Sequence, residues 1–297
     1  MADIKTKSVP LNVQAELTKE QFHKIADFIQ TNVGIKMPDQ KKIMVQSRLQ
    51  ARLKALSMKS FDDYIAYAFS NNSQSDEEIA LMINVITTNL TSFFRENNHF
   101  EYLTDNILPE LATQGVKKVE LWSAACSSGE EPYTLSIVMQ EFQRTHPGKI
   151  PDFSILATDI SSTVLDKAVS AVYPMESVDS LSFDLKKRYF LKSKNQEEPK
   201  VRVKKETRSK VNFERLNFMD EEYSIIKGMK HIIFCRNALI YFDKPTQESV
   251  IRKLIKHLVP GGYLFLGHSE TIFGMNLPLQ TVGPTIFKKS DASGGAE

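Results

Sequence analysis

Apolar residues recur at helical spacing through the first 90 residues of the chain. Phe22, Ile25 and Ile29 lie three or four positions apart, as on one face of a helix, and Thr18 with Gln21 has the spacing of a capping box before them. Further helices are predicted from Pro38 to about Leu56, from Ser60 and from Ser75. We therefore predict a helical domain over residues 18–90, preceded by a flexible tail at residues 1–17.

From Val116 onward, short apolar runs alternate with helical stretches. The predicted strands are Lys118–Trp122, Phe153–Thr158, Val211–Arg215, His231–Cys235 and Tyr263–Gly267. The predicted helices are Glu131–Arg144, Ser162–Ala171 and Thr246–Leu258. This alternation predicts an α/β fold with a doubly wound parallel sheet over residues 91–290. A break in the alternation predicts an inserted subdomain at about residues 173–212, and residues 291–297 are predicted to be a second flexible tail.

Composition narrows the class of protein. The chain has 297 residues, a formal net charge of +2 and two cysteines, too few for a disulfide framework or a cysteine metal site. No apolar run is long enough to span a membrane, and the first residues lack a signal-peptide core. These features predict a soluble cytoplasmic protein without direct membrane insertion.

Charge is concentrated in two basic segments. Residues 41–59 carry six Lys or Arg and no acid, and residues 186–210 carry eleven basic residues against three acids. Such patches indicate acidic partner surfaces. The alternative is that both are simply solvated faces of helices and strands.

The segment from Val119 to Tyr133 predicts a strand, a loop of small residues and a helix start. It contains neither the glycine pattern of a dinucleotide site nor the Gly-Lys-Ser/Thr of a phosphate loop. The acids Glu130 and Glu131 would repel phosphate but suit an ammonium group. A ligand can approach the backbone here because the side chains are small.

Asp159 ends the next predicted strand. An ionised acid at this tip can accept hydrogen bonds from the two hydroxyls of a ribose. Alternatively, Asp159 or Ser161 caps the following helix. A ribose acceptor beside an ammonium acceptor, without a phosphate grip, indicates a nucleoside with an amino-acid tail, which fits S-adenosylmethionine.

Five motifs in one order carry a resemblance to a known family. They are Thr88–Glu96 (TNLTSFFRE), Trp122–Ala125 through Gly129–Tyr133 (WSAA, then GEEPY), Ala157–Ile160 (ATDI), Cys235–Asn237 followed by Ile240–Asp243 (CRN, then IYFD), and Gly267–Glu270 (GHSE). Over roughly residues 18–290 the chain resembles CheR, the chemotaxis receptor methyltransferase. The resemblance implies a Rossmann-like methyltransferase sheet with an N-terminal helical docking domain and a small antiparallel β insertion.

The family also implies a reaction. It methylates glutamate carboxylates on the cytoplasmic helices of chemoreceptors, using S-adenosylmethionine and releasing S-adenosylhomocysteine, and so acts in the signal transduction of chemotaxis adaptation. A glutamate is ionised at neutral pH, so this acceptor needs no general base. We expect a monomer that binds no metal and no nucleic acid.

The resemblance assigns roles to individual residues. Arg95 and Tyr241 are the expected catalytic residues, Tyr241 by orienting the acceptor. Lys42, Arg48 and Arg52 on the basic helix are the expected receptor-docking residues. The expected cofactor-binding residues are Asn89, Thr91, Arg95, Ala125, Glu131, Asp159, Asn217, Phe218, Arg236 and Asn237.

Several residues have a plain structural alternative. Phe93 and Phe94 fit a hydrophobic core, Arg95 could pair with Glu96 or Glu130, and His268 fits a core histidine. The loop at residues 192–200 has no glycine, unlike the inserted subdomain of CheR members that tether to a receptor peptide.

Two alternative functions remain open from the sequence. A nucleic-acid methyltransferase would suit the basic segments. Enzymes of that class that modify exocyclic amines usually carry Asn or Asp-Pro-Pro-aromatic after the fourth strand, where this chain has Cys235–Ala238 (CRNA). A non-catalytic module that senses S-adenosylmethionine is the other alternative.

Overall fold

The computed structural model describes residues 15–70, 72–150 and 152–291. The chain forms two compact units. Of the described residues, those within 15–31 and 37–87 belong to the helical unit, and those within 32–36 and 88–291 belong to the sheet unit. The predicted tails lie largely outside the described residues. At the inner end of the tail predicted for residues 1–17, Leu17 is buried and its N–H donates to Gln46 Oε1.

The helical unit is built from capped amphipathic helices. Its helices are α1 (Lys19–Val33), α2 (Lys42–Ala55), α3 (Phe61–Ala68) and α4 (Ser73–Ile86). The predicted capping box at Thr18 is present, since Thr18 Oγ1 and Gln21 Oε1 each accept the other residue's backbone N–H. The start predicted for α4 at Ser75 is wrong by two residues, because Asn72 caps this helix and Ser75 is its reciprocal partner.

The main sheet has seven strands in the order β6-β2-β1-β7-β8-β10-β9. They are β1 (Lys118–Ala124), β2 (Asp152–Asp159), β6 (Val211–Arg215), β7 (Lys230–Cys235), β8 (Leu258–Leu266), β9 (Leu279–Gly283) and β10 (Ile286–Lys289). Strands β6, β2, β1, β7 and β8 are parallel, whereas β10 runs antiparallel to both of its neighbours. The predicted fold class is confirmed, and the antiparallel β9–β10 edge adds to it.

Helices cover both faces of this sheet. They are α5 (Asn98–Tyr102), a π-helical turn (Leu103–Ile107), α6 (Leu108–Thr113), α7 (Glu130–Thr145), α8 (Ser162–Ser170) and α11 (Lys244–Lys256). Alternate residues of β1 enter opposite cores: Leu121 packs in the cluster that contains α5 to α7, and Trp122 packs in the cluster that contains α11. Both faces of the sheet are therefore buried, as a parallel sheet requires.

The insertion is a separate antiparallel sheet in the order β3-β5-β4. Its elements are β3 (Val172–Pro174), α9 (Phe183–Tyr189), β4 (Phe190–Lys192) and β5 (Lys200–Val203), followed by the short helix α10 (Lys205–Arg208).

The sheet reverses its direction of growth between β1 and β7. The chain winds outward from β1 through β2 to β6 on one side, and from β7 to β8 on the other. Ligands of doubly wound sheets bind at the carboxyl ends of the strands beside such a switch point. Among the described helices none is long and apolar enough to cross a membrane.

Candidate functional site at the strand ends

The loop after β1 takes a strained path that brings its backbone close to the neighbouring elements. Ala125 and Ser127 have left-handed backbone, with φ of 65° and 50°, and Gly129 follows at 95°. A Cβ on Gly129 would lie 2.8 Å from the Cβ of Ala168, so glycine is needed where this loop passes α8. Left-handed residues other than glycine are uncommon and concentrate at ligand sites.

Two carboxylates lie close to the ends of β1 and β2: Asp159 is buried and Glu131 is largely buried. Glu131, in the first turn of α7, accepts from Ser123 Oγ at 2.7 Å. Asp159 accepts from the N–H of Ser127 at 2.9 Å and from that of Ser161 at 3.0 Å. Burial raises the pKa of both acids, against the lowering effect of their hydrogen-bond and charged partners. The helix cap left open by the sequence is Ser161, whose Oγ accepts from the N–H of Val164.

Arg236 is the cation that compensates Glu131 and the neighbouring acid Glu96. Its guanidinium is buried, with Nε 3.0 Å from Glu131 Oε2 and 3.8 Å from Glu96 Oε2. Its Nη1 donates to His99 Nδ1 and its Nη2 donates to the carbonyl of Arg95. Arg236 therefore connects the end of β7 with α7 and with the segment that precedes α5. Burying such a guanidinium is favourable only with this many partners.

The segment at residues 88–96 lies against the loop after β1. Ser127 Oγ donates to the carbonyl of Asn89, and the N–H of Phe94 donates to Thr134 Oγ1. Arg95 is half-buried and its Nη1 donates to the carbonyl of Leu90. The sequence alternative that Glu96 pairs with Arg95 is replaced by the ion pair of Glu96 with Arg236. Phe93 is buried against Tyr173 and Phe190, as predicted for a core residue.

Asn217 and Tyr241 both contact a short segment of the sheet unit, residues 32–36. In residues 32–36, the carbonyl of Asn32 accepts from Asn217 Nδ2 at 2.7 Å, and the N–H of Lys36 donates to the carbonyl of Tyr241 at 2.8 Å. Phe218 is buried beside Phe242. Asn217 of the expected adenine-binding pair and the expected catalytic residue Tyr241 thus contact the same five-residue segment.

Comparison with known proteins follows the same division of the chain. The family model described as CheR methyltransferase, SAM binding domain, matches residues 89–287, and the model described as CheR methyltransferase, all-alpha domain, matches residues 20–87. The chain belongs to the CheR methyltransferase family. The predicted recognition is therefore confirmed.

Curated relatives match this chain over nearly the whole length of both proteins. The chain is 36% identical over 290 residues to the chemotaxis protein methyltransferase of Borreliella burgdorferi, covering 96% of this chain and 99% of the relative. It is 37% identical over 276 residues to chemotaxis protein methyltransferase 2 of Pseudomonas aeruginosa, covering 93% and 95%. It is 36% identical over 274 residues to the chemotaxis protein methyltransferase of Escherichia coli, covering 92% of each.

The hydrogen-bond acceptors at these strand ends fit the family's cofactor, S-adenosylmethionine. Asp159 at the end of β2, and Glu131 bonded to Ser123 near the end of β1, bring two carboxylates close to neighbouring strand ends, where an ammonium group and a ribose diol need acceptors. The left-handed loop between them offers close backbone approach. No Lys or Arg occurs between Val119 and Tyr133, which agrees with a cofactor that carries no phosphate.

Two acids outside the predicted set of site residues, Glu96 and Glu270, have many contacts. Glu96 Oε1 accepts from Asn237 Nδ2 at 3.1 Å and from the N–H of His268 at 3.4 Å. Burial raises the pKa of Glu96, but these bonds and the charge of Arg236 outweigh burial and hold it below the ordinary value. Glu270 is buried and accepts from three backbone N–H groups. The sequence feature that could have identified Glu96 and Glu270 is their position in the TNLTSFFRE and GHSE motifs.

His99 and His268 differ in their surroundings. His268 is exposed, so the predicted core histidine is wrong, whereas His99 is buried. Burial, with the charge of Arg236, lowers the pKa of His99 to about 4. With Glu96, the two rings have ligand atoms within 4.8 Å of one another. Because Arg236 already donates to His99 Nδ1, both the occupied lone pair and the adjacent cation oppose a metal ion there.

The expected docking residues lie in the helical unit of this CheR-family chain. Arg52 forms an ion pair with buried Glu78, with Nη2 2.6 Å from Oε2, and Arg48 donates to the carbonyls of Ile86 and Thr87 at the end of α4. Both arginines thus have structural contacts in addition to any partner. Lys42 is half-buried at the start of α2.

Proposed function

We propose that this protein transfers the methyl group of S-adenosylmethionine to glutamate carboxylates on the cytoplasmic helices of chemoreceptors, forming glutamate methyl esters during chemotaxis adaptation. The observation that carries the proposal is the pair of acids beside neighbouring strand ends of a CheR-family chain: Asp159, which is buried at the end of β2, and Glu131, which is largely buried in the first turn of α7. S-adenosylmethionine supplies a methyl group on a sulfonium. The product is S-adenosylhomocysteine.

In this proposal, residues of the sheet unit bind and orient the cofactor. Glu131 and the carbonyl of Ala125 accept from the ammonium group, and Asp159 accepts from the ribose hydroxyls. Asn217 and Phe218 lie by the adenine. Asn89, Thr91 and Arg95 bind the methionine end, where the carboxylate pairs with Arg95. Arg236 and Asn237 close this pocket, Arg236 by neutralising the acids around it.

The acceptor glutamate needs no general base, which agrees with a site whose buried histidine, His99, is held by other groups. His99 is held by Arg236 through Nδ1 and contacts Thr285 through Nε2, and its lowered pKa keeps it neutral. A glutamate side chain is already a carboxylate at neutral pH and attacks without losing a proton. The protein's task is then to align the carboxylate with the methyl group and to exclude water. We assign Tyr241 to orienting the acceptor through its hydroxyl.

Receptor docking is proposed for the basic surface of α2, formed by Lys42, Arg48 and Arg52. The charges there match acidic helices, and such charges govern encounter and register more than affinity. Reversal of Arg52 would also break its ion pair with Glu78, so Lys42 is the residue to vary.

We expect Lys42→Glu to raise the KM for a receptor fragment roughly five-fold, equivalent to about 1 kcal/mol, with an unchanged Kd for the cofactor. The matched control is Lys149→Glu, an exposed lysine of the sheet unit outside this surface. Steady-state kinetics at several salt concentrations measure the effect, which salt should reduce. Equal KM values for the two variants would rule out docking by Lys42.

The proposed reaction is tested with a cofactor that carries a labelled methyl group and a purified receptor cytoplasmic fragment. Label incorporated into a carboxyl ester is released as methanol by mild alkali, whereas label on nitrogen stays bound. We expect the incorporated label to be alkali-labile. Alkali-stable label, or label transferred to nucleic acid instead, would replace the proposal with another methyltransferase activity, and cofactor binding without any transfer would favour a sensing module.

A further inference from the structure

The turn that presents Tyr241 lacks a cap of its own. Residues Leu239–Tyr241 form a single 3-10 turn, and Ala238 before it has no side chain that can accept a hydrogen bond. The first N–H groups of any helical turn need outside acceptors. Glu270 Oε1 supplies one, accepting from the N–H of Leu239 at 2.7 Å.

The other oxygen of Glu270 joins the ends of β7 and β8. Glu270 Oε2 accepts from the N–H of Asn237 at 3.0 Å and from that of Gly267 at 2.6 Å. Strands β7 and β8 are parallel neighbours, so their carboxyl ends lie side by side. One buried carboxylate thus sets the spacing of the two loops that follow these strands.

The loop held by Glu270 has little freedom to adopt another path. Asn237 has left-handed backbone with φ of 59°, and a Cβ on Gly267 would lie 2.5 Å from Asn237 Nδ2. Asn237 Nδ2 in turn donates to Glu96. Burial raises the pKa of Glu270, against the lowering effect of the N–H groups that it accepts from. An acid is costly to bury, and several backbone donors are needed to offset that cost.

We propose that Glu270 is a positioning residue for the methyl transfer, holding the turn that places Tyr241 against the acceptor. The inference rests on the proposed function, because it uses the role assigned to Tyr241. Glu270 itself contacts backbone groups of the loops and need not touch cofactor or substrate. Its effect is expected in kcat, since it fixes geometry at the reacting centre.

Glutamine at position 270 tests this role because the amide keeps the shape of Glu270 but has only one acceptor oxygen. We expect Glu270→Gln to lower kcat about tenfold to a hundredfold at saturating cofactor and receptor fragment, with the KM for the fragment within about twofold of wild type. The control is Glu110→Gln, which removes a carboxylate bonded to Tyr263 and Lys288 in the same unit. This control should lower the unfolding temperature and leave kcat unchanged.

A double-mutant cycle with Tyr241→Phe shows whether Glu270 acts through the tyrosine. We expect Glu270→Gln to lower kcat by less than about twofold once the hydroxyl of Tyr241 is absent, since coupled sites are not additive. The inference would be overturned if the two substitutions lowered kcat by independent factors that multiply in the double variant. It would also be overturned by an unchanged kcat in the single variant Glu270→Gln. An unchanged kcat in Tyr241→Phe would overturn it together with the role of Tyr241, while the measured turnover would still support the proposed function.

A spectroscopic readout separates this inference from the proposed function. With 3-fluorotyrosine at position 241, we expect the ¹⁹F resonance to shift or broaden in Glu270→Gln and to stay unchanged in Glu110→Gln. This result would stand even if the wild-type protein transferred no methyl group to receptor fragments, which would refute the function alone. An unmoved resonance overturns the inference. Should Glu270→Gln fail to fold, Glu270→Asp, which keeps the charge but is shorter, serves the same comparison.

Discussion

Asp159→Asn is expected to weaken the binding of S-adenosylmethionine about 100-fold or more. The carboxylate accepts from the N–H groups of Ser127 and Ser161, and its remaining lone pairs are proposed to accept from the ribose. Each hydrogen bond to an ionised acceptor contributes about 1.5–3 kcal/mol, and about 1.4 kcal/mol is tenfold in Kd. Isothermal titration with the cofactor or with S-adenosylhomocysteine measures the loss.

The matched control for Asp159 lies at the other end of the same strand. Asp152 begins β2, is half-exposed on its side chain and pairs with Lys210. Asp152→Asn should leave the Kd for the cofactor unchanged, because surface ion pairs contribute little. If Asp159→Asn bound the cofactor within about threefold of wild type, the ribose assignment would be wrong.

The second large effect is expected at Arg236. Methionine at this position fills a similar volume but leaves the largely buried acids Glu131 and Glu96 without their cation. Removing one partner of a buried ion pair costs about 3–5 kcal/mol, so Arg236→Met should lower the free energy of unfolding by that amount at pH 7. The control Arg144→Met loses an exposed pair with Glu141 and should change it by less than about 1 kcal/mol.

The pH dependence of Arg236→Met has a definite sign. The pKa of Glu131 is already raised by burial, and the charge of Arg236 is the largest effect that lowers it. Without that charge the pKa rises further. An acid whose pKa is raised in the folded state stabilises the fold most below its ordinary pKa, where it is protonated in both the folded and the unfolded protein. That stability is lost as pH rises through the folded-state pKa. The difference in the free energy of unfolding between wild type and Arg236→Met should therefore be smaller at pH 5 than at pH 7. Urea unfolding at both pH values measures it. An equal difference at both pH values would contradict this explanation.

Local patterns predicted much of the fold. The Thr18 and Gln21 cap, the parallel strands and the acid at the tip of β2 all follow from residues close together in the chain. The predicted start of α4 is two residues late, because Asn72 caps this helix and Ser75 is the third residue inside it. The strands β9 and β10 were not predicted, although β10 pairs with β8.

The contacts of the site residues depend on packing between distant segments. Arg236 reaches the carbonyl of Arg95 and the ring of His99 across some 140 residues of sequence. Arg52 appears in the sequence as one charge of a basic helix, yet it pairs with Glu78 of α4. Glu270 caps a turn that lies 31 residues before it. No local pattern encodes such pairings, so motif membership could mark these residues as important but could not give their partners.

The central claim is that the acids at the strand ends seat S-adenosylmethionine so that its methyl group passes to an ionised glutamate of a receptor. Mass spectrometry of a receptor fragment after incubation with protein and cofactor tests it most directly. The account predicts an added methylene mass on peptides at particular glutamates, lost in alkali, absent after those glutamates are changed to glutamine, and strongly reduced with Asp159→Asn. Methylation that persists on the glutamine-substituted fragment, or that is undiminished in Asp159→Asn, would contradict it.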